Sequence, residues 1–147
     1  MSKTIHLASD HAGFALKSAV LDHLAKQGLA VQDHGTDSTQ SCDYPVYAQA
    51  LCKAVLARGD LGILICGSGL GMSMMANRFR GIRAALCTNE FLAALSRRHN
   101  DANVLCLGER MVGAGLALAI VDAFLHNEFE GGRHQGRIAL LDRNLDA

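Results

Sequence analysis

The sequence lacks several features, and each absence limits what the protein can be. It has no tryptophan, one proline among 147 residues, and 14 basic residues that balance 14 acidic ones. A net charge of zero argues against nucleic-acid binding or an anionic membrane surface as the main function. No apolar run approaches the length of a membrane span, and the start, MSKTIHLASDH, lacks the apolar core of a signal peptide. We therefore expect a cytoplasmic protein.

Disulfide and metal-binding patterns are also missing. The five cysteines include no C-x-x-C pair, and their odd number fits reduced thiols better than a disulfide framework. The seven histidines show neither H-x-H nor H-E-x-x-H spacing, so we expect no structural zinc site. No repeat or linker interrupts the chain, and its length suits a single domain over residues 1–147.

The sequence does contain a regular alternation of short apolar runs and longer helical segments. The runs predict five strands, at residues 4–9, 29–33, 61–65, 81–88 and 103–107. Strands that alternate with helices of this length favour a parallel, doubly wound sheet with helices on both faces. Residues 133–142 predict a last short helix, which would form a C-terminal arm.

The strongest sign of function is the stretch at residues 61–75, LGILICGSGLGMSMM. Cys66 ends the predicted strand, and Gly67, Ser68, Gly69 and Gly71 lead into a predicted helix over 72–78. Glycines let backbone N–H groups approach a ligand, and a helix N-terminus favours bound negative charge. The same field favours the thiolate, which is the reactive form of cysteine. Such a site could abstract a proton beside a developing oxyanion.

This stretch by itself leaves other interpretations open. A glycine loop between a strand and a helix is more often a phosphate or nucleotide cradle than a catalytic centre. A cysteine at the end of a buried strand is commonly only a small apolar residue. The loop lacks the Gly-Lys-Ser/Thr of a Walker loop and matches G-x-G-x-x-G only in part. Met72 stands where a cysteine phosphatase would carry arginine.

The predicted sheet also indicates where a site would form. In doubly wound sheets ligands bind at the carboxyl ends of the strands, where the strand order reverses. Asp10 and His11 follow the first strand, Cys66 and its loop follow the third, and Thr88 follows the fourth. His99 precedes the fifth strand and so belongs to the opposite edge. If His99 acts at the same site, a long loop or another subunit must bring it there.

Several segments, in order, resemble the ribose-5-phosphate isomerase B family, whose wider relatives include galactose-6-phosphate isomerase subunits. These segments are DHAG from residue 10, DYP from 43, ILICGSGLGMSMMANRFRGIRA from 63, SRRHNDANVL from 96 and EGGRHQGR from 130. The resemblance covers nearly the whole chain, to about Arg137. It implies a Rossmann-like fold and a metal-free, cofactor-free aldose–ketose isomerase that acts on a phosphorylated sugar through a cis-enediolate.

The resemblance also implies catalytic roles. Cys66 would move a proton between C2 and C1 of the sugar, and the N–H groups of residues 67–71 would stabilise the enediolate. Ser68, where many relatives carry threonine, would assist that transfer. His99 would open the furanose ring as a general acid and base, a task that suits histidine. Some relatives use a loop glutamate instead of the cysteine, but no carboxylate lies between Cys66 and Arg83.

Substrate-binding residues follow from the same resemblance. Sugar hydroxyls would be bound by Asp10 and Asn100, and the phosphate by His11, Arg110, Arg133 and Arg137. The last two are spaced i,i+4, so a helix would point both the same way, and guanidinium groups suit phosphate oxygens. Without the resemblance, an exposed basic tail is the simpler explanation of these two arginines.

The resemblance implies a homodimer, or a dimer of dimers, with the site between subunits and the C-terminal arm reaching across the partner. Ile138, Leu140 and Leu141, in a tail too short for its own core, agree with this. Ribose 5-phosphate is the expected substrate, which would place the enzyme in the pentose phosphate pathway. Galactose 6-phosphate, allose 6-phosphate and a tetrose phosphate stay open as substrates, because pocket length depends on side chains from across the interface and on the loop at residues 35–42. A non-catalytic phosphosugar-binding module is the remaining alternative, although it would have no need of Cys66 and His99.

Overall fold

The described part of the chain, residues 2–143 of a computed structural model, contains five strands and six α-helices. The strands are β1 (Ile5–Ser9), β2 (Val31–Asp33), β3 (Leu61–Cys66), β4 (Ala84–Leu86) and β5 (Val104–Gly108). The helices are α1 (Phe14–Lys26), α2 (Tyr44–Arg58), α3 (Leu70–Ala76), α4 (Glu90–Asn100), α5 (Ala114–Leu125) and α6 (Arg133–Leu141). A short 3-10 helix, His11–Gly13, links β1 to α1. None of the helices described is long and apolar enough to cross a membrane.

The strands form one parallel sheet in the order β2-β1-β3-β5-β4, which confirms the predicted doubly wound architecture. The strand order reverses between β1 and β3, because β2 extends the sheet on one side while β5 and β4 extend it on the other. Ligands of such sheets bind at the carboxyl ends of the two strands that flank this reversal. The fold therefore points to the end of β1 and the end of β3, where Cys66 lies.

Apolar side chains cover both faces of the sheet, as a parallel sheet requires. Because successive strand residues point to opposite faces, Ile63 joins the layer under α1, α4 and α5, and Leu64 joins the layer under α2 and α3. Cys66 belongs to the second layer, beside Met72 of α3. The alternation along β3 thus places the thiol between the sheet and the helix that follows its own loop.

Helix ends follow from local sequence. Asn89 caps α4 by accepting a hydrogen bond from the Leu92 N–H at 2.8 Å, and α2 starts at Tyr44-Pro45. α3 begins two residues earlier than the predicted 72–78, because the Ser73 N–H already donates to the Gly69 carbonyl. The loop after Cys66 is therefore only three residues long.

The predicted fourth strand was too long. β4 spans three residues rather than residues 81–88, because the sheet offers it a partner on one side only, β5. Just before it, the Arg83 N–H donates to the Asn103 side chain at 2.8 Å instead of to a strand. The Asn77 side chain, at the end of α3, bonds both the N–H and the carbonyl of Ala84.

The C-terminal arm forms the predicted helix, α6, which lies against α4. Ile138 is buried by this packing, whereas Leu140 and Leu141 remain 56% and 63% exposed. The Asp142 carboxylate, just after the helix, accepts two hydrogen bonds from Arg83, at 2.8 and 3.0 Å. The arm therefore packs on the rest of its own chain and presents apolar side chains outward.

Candidate active site

Cys66 is held in place by the backbone of its own loop. The thiol is 5% exposed, and the Gly69 N–H donates a hydrogen bond to Sγ at 3.2 Å. Gly69 has a φ of +82°, and a Cβ there would lie 2.5 Å from Leu86 Cδ1, so only glycine fits. A sulfur accepts a hydrogen bond better as thiolate than as thiol. The loop thus presents Cys66 in the geometry that a proton-abstracting thiolate needs.

A cavity of about 310 Å³ opens beside Cys66 at the carboxyl edge of β1, β3 and β5. Seven of the residues predicted from the sequence line it, namely Asp10, His11, Cys66, Gly67, Ser68, Gly71 and Arg110. The fold therefore brings together side chains from three separate strand ends. Thr88 lies at the same edge of the sheet but follows β4, and β5 stands between β4 and β3. Arg110, which follows β5, therefore lies next to Cys66 in place of Thr88.

The two carboxylate oxygens of Asp10 differ in their hydrogen bonds within the protein. Its Oδ1 accepts the N–H groups of Ala12 and Gly13 at 3.0 and 3.1 Å and so caps the 3-10 helix. None of the described residues donates a hydrogen bond to Oδ2. The carboxylate is 6% exposed and lines the cavity, so Oδ2 is placed to accept a hydrogen bond from a ligand hydroxyl.

His11 and Arg110 give the cavity its donors. The Cys42 N–H donates to His11 Nδ1 at 3.2 Å, so in the neutral ring the proton sits on Nε2, which is then a donor. This contact also brings the end of the loop at residues 35–42 against the site. The Arg110 guanidinium lies over Gly67, where a Cβ would be 3.0 Å from Nη1. A ring N–H and a guanidinium at one cavity suit a phosphate group.

Tyr44 is a lining residue that the sequence reasoning missed. It is the first residue of α2, and its ring packs on Gly71 so closely that a Cβ there would lie 2.5 Å from Tyr44 Cζ. The signal was present in the Asp43-Tyr44-Pro45 segment, which belongs to the resemblance but had no role assigned to it. The aromatic ring forms one wall of the cavity.

The remaining predicted site residues lie elsewhere. His99 and Asn100 end α4, Arg133 begins α6, and Arg137 follows one turn later. A second cavity, of about 330 Å³, is lined by His99, Asn100 and Arg137 and shares no residue with the first. It adjoins the amino end of β5, and five strand residues span roughly 16 Å. This confirms that His99 belongs to the opposite edge of the sheet.

Two further residues that the sequence reasoning missed surround His99. The His99 ring stacks on His134, with centroids 4.3 Å apart and planes at 14°. Glu130 Oε1 lies 3.6 Å from His99 Nε2. Burial, together with the charge of Arg133, lowers the pKa of His134, so this ring is neutral at neutral pH. Both residues fall in the EGGRH segment, whose position next to Arg133 was the available signal.

The other buried cysteines, Cys52, Cys87 and Cys106, lie in the core. Burial raises the pKa of Cys52 to about 12 and that of Cys87 to about 11, and it raises the pKa of Cys106 as well. These three thiols stay protonated at neutral pH and pack in the core. Among the buried cysteines of the described chain, Cys66 alone lines one of the two cavities described above.

Comparison with known proteins shows the family to which the chain belongs. The sequence model of the family described as Ribose/Galactose Isomerase matches residues 5–141. The chain is 51% identical over 141 residues to ribose-5-phosphate isomerase B of Escherichia coli strain K12, covering 95% of this chain and 94% of that protein.

Solved structures agree as well. The crystal structure of a ribose 5-phosphate isomerase from Thermotoga maritima superposes with a TM-score of 0.94 at 51% identity, over 97% of this chain and 99% of that one. Ribose-5-phosphate isomerase B from Mycoplasma genitalium, solved with bound ribulose-5-phosphate, gives a TM-score of 0.94 at 45% identity, over 97% and 96% of the two chains. The present chain therefore belongs to the ribose/galactose isomerase family.

Proposed function

We propose that this protein interconverts ribose 5-phosphate and ribulose 5-phosphate by proton transfer between C1 and C2, without a metal or a cofactor. The observation that carries the proposal is Cys66, held by the Gly69 N–H beside a cavity that also offers His11 and Arg110 as phosphate donors. The relative from Mycoplasma genitalium, structurally alike over 97% of this chain, binds ribulose-5-phosphate. The reaction belongs to the pentose phosphate pathway, in the cytoplasm, where thiols stay reduced.

The chemical step uses the Cys66 half of the site. With the aldehyde form bound, the Cys66 thiolate takes the proton from C2, and the electron pair moves through C1–C2 to the carbonyl oxygen. The N–H groups of Gly67, Ser68 and Gly71 stabilise the resulting cis-enediolate, because the Gly69 N–H already bonds Cys66 Sγ and the Leu70 N–H bonds the Ser68 hydroxyl. The thiol then returns the proton to C1, and the C2 hydroxyl becomes the ketone. The Ser68 hydroxyl, at the same cavity, assists the exchange of the hydroxyl proton.

Substrate binding in this half uses Asp10, His11 and Arg110. Asp10 Oδ2, free of protein donors in the described chain, accepts a hydrogen bond from a sugar hydroxyl. His11 donates through Nε2 and Arg110 through its guanidinium, and both bind the phosphate. The sugar is thereby stretched across the glycine loop, with the reacting carbons at Cys66.

The second half of the site comes from another subunit. His99 and Asn100 lie at the opposite edge of the sheet, so they reach the cavity of Cys66 only if two chains associate. The exposed Leu140 and Leu141 support a homodimer, because the arm that carries them packs its other side on its own α4. In the dimer, His99 of the partner subunit opens the furanose ring, Asn100 of the partner subunit orients hydroxyls, and Arg133 and Arg137 of the partner subunit complete the phosphate site.

The test of the proposed function is isomerisation of ribose 5-phosphate by the wild type and by Cys66→Ala, without added metal. Loss of the base should lower kcat by about 10²- to 10⁴-fold, the usual share of general acid–base catalysis. Cys52→Ala, a buried thiol away from the cavity, is the matched control and should keep full turnover. Turnover by Cys66→Ala at the wild-type rate would end the assignment. Comparing four-, five- and six-carbon sugar phosphates then defines the substrate range.

A further inference from the structure

Glu130 is a charged residue that the mechanism above does not use, although it lies beside His99. It sits in the connection between α5 and α6, with Oε1 at 3.6 Å from His99 Nε2. Its side chain is 41% exposed, as is typical of a surface glutamate. Its contacts, however, fix it more firmly than exposure alone suggests.

Arg98 holds Glu130 in three ways. The Arg98 guanidinium donates to Glu130 Oε2 through Nε at 2.9 Å and lies within 2.8 Å of it through Nη2. The Glu130 N–H donates to the Arg98 carbonyl at 3.0 Å. The hydrogen bond from Arg98 lowers the pKa of Glu130, so the carboxylate stays charged. Because both Arg98 contacts use Oε2, the other oxygen faces His99.

His134 restricts the same imidazole from a second direction. Its ring is 8% exposed and stacks on His99 almost in parallel, which limits the tilt of the His99 ring. Since His134 is neutral, it presents no like charge when His99 accepts a proton. Stacking thus restricts the plane of the His99 ring, and Glu130 lies beside its Nε2 atom.

We propose that Glu130 is a positioning residue for ring opening, which it controls through His99. This inference rests on the proposed function. Glu130 Oε1 accepts the Nε2–H of His99, so Nδ1 is the nitrogen that meets the sugar. Nδ1 takes the proton of the anomeric hydroxyl, the bond between C1 and the ring oxygen breaks, and Nδ1 returns the proton to that oxygen. The carboxylate stabilises the imidazolium formed in between, as in other carboxylate–histidine pairs.

The distance and the charges around Glu130 agree with this role. A separation of 3.6 Å exceeds a hydrogen bond, but catalytic contacts often shorten only when substrate is bound. The ligand atoms of His99, Glu130 and His134 lie within 4.8 Å of one another, a spacing that a metal ion could also use. Arg98 already pairs with the carboxylate, and Arg133 and Arg137 add positive charge beside His134. This field favours an oriented histidine over a bound cation.

The experiment separates ring opening from proton transfer at carbon. Ribose 5-phosphate is a furanose, whereas ribulose 5-phosphate is acyclic because its 5-hydroxyl carries the phosphate. Glu130→Gln should lower kcat on ribose 5-phosphate by about 10- to 100-fold, as removal of a residue that orients a functional histidine does. Its C1 hydrogen exchange on ribulose 5-phosphate in D2O, which needs Cys66 as base but no ring opening, should stay within about twofold of wild type.

Controls make each outcome decisive. Glu128→Gln removes an exposed carboxylate two residues away and should leave both rates unchanged. Glu130→Asp keeps the charge and should recover part of the turnover on ribose 5-phosphate. Equal loss of turnover and exchange in Glu130→Gln, or loss of neither, would overturn the inference. If the wild type interconverts neither ribose 5-phosphate nor ribulose 5-phosphate, the proposed function itself fails, and the two failures are thereby distinguished.

Discussion

The two halves of the proposed site are built in different ways. The Cys66 half is made by backbone at the buried end of a central strand, where Gly69 and Gly71 pack so tightly that a single added carbon would collide with Leu86 or Tyr44. The His99 half is made by side chains on the surfaces of α4 and α6, joined by stacking and ion pairs. The first is organised within one chain. In the proposed dimer, the second acquires a substrate only when another chain docks against it.

A subunit-mixing experiment tests most directly whether the Cys66 half and the His99 half of a site come from different chains. Cys66→Ala and His99→Asn homodimers should each be inactive, but a heterodimer formed from them has one site with both wild-type halves. Random exchange makes about half of the dimers mixed, so activity should rise from near zero to about a quarter of wild type. Sedimentation should show dimers throughout. No recovery despite verified exchange, or a fully active monomer, would place both halves in one chain.

The next largest effect should come from Gly69→Ala. Alanine at a φ of +82°, with its Cβ 2.5 Å from Leu86 Cδ1, must displace the loop that positions the Cys66 sulfur. A displacement near 1 Å costs on the order of 10²-fold in kcat. Gly115→Ala is the matched control, because a Cβ there meets nothing within 4 Å and α5 gains helix propensity. Equal kcat in both variants, with circular dichroism unchanged, would refute a loop held this tightly.

Arg137→Ala should act on binding instead. Loss of a guanidinium–phosphate contact should raise KM for ribose 5-phosphate by about 10-fold or more and change kcat little, since hydrogen bonds to charged groups are worth about 1.5–3 kcal/mol. Arg137→Lys should fall between, because lysine lacks the planar fork. Arg78→Ala removes the same charge from an exposed position outside both cavities and should leave KM unchanged. An unaltered KM in Arg137→Ala would remove this residue from the site.

The smallest predicted effect concerns the His99 half alone. There, His134 should make the stability of the fold depend on pH. Burial lowers the pKa of His134, so the unfolded chain binds this proton more readily. The stabilisation is fully present above the ordinary histidine pKa of about 6.5 and is lost as the pH falls below it towards the folded value. Urea midpoints at about pH 7.5 and about pH 5.5 should therefore differ less in His134→Gln than in wild type.

His34 and His126 provide the reference for that measurement. Burial and the charge of His6 lower the pKa of His34 too, so it contributes the same fall in every variant. His126→Gln removes an imidazole from an exposed position, so its pH dependence is the background against which His134→Gln is compared. A His134→Gln protein with the wild-type slope would show that this ring is not held neutral by the fold.

Local sequence was enough for much of the architecture. The runs around Ile5, Ile63 and Leu105 are apolar on both faces, which in this chain length requires a covered parallel sheet. Cys66 with its glycines predicted a strand end that faces a ligand, and the position of His99 before β5 predicted that it lies at the other edge. These features depend on periodicity and chain order, which the sequence states directly.

Only the tertiary structure decided what depends on contacts between distant segments. The insertion of β5 between β3 and β4 brings Arg110 rather than Thr88 to Cys66, and no local pattern specifies strand order. The packing of Tyr44 on Gly71 and the assembly of Glu130 and His134 around His99 are likewise side-chain contacts across long sequence separations. Such contacts arise when helices settle onto a common sheet, because the free energy that selects them comes from the packing of whole elements rather than from any one segment.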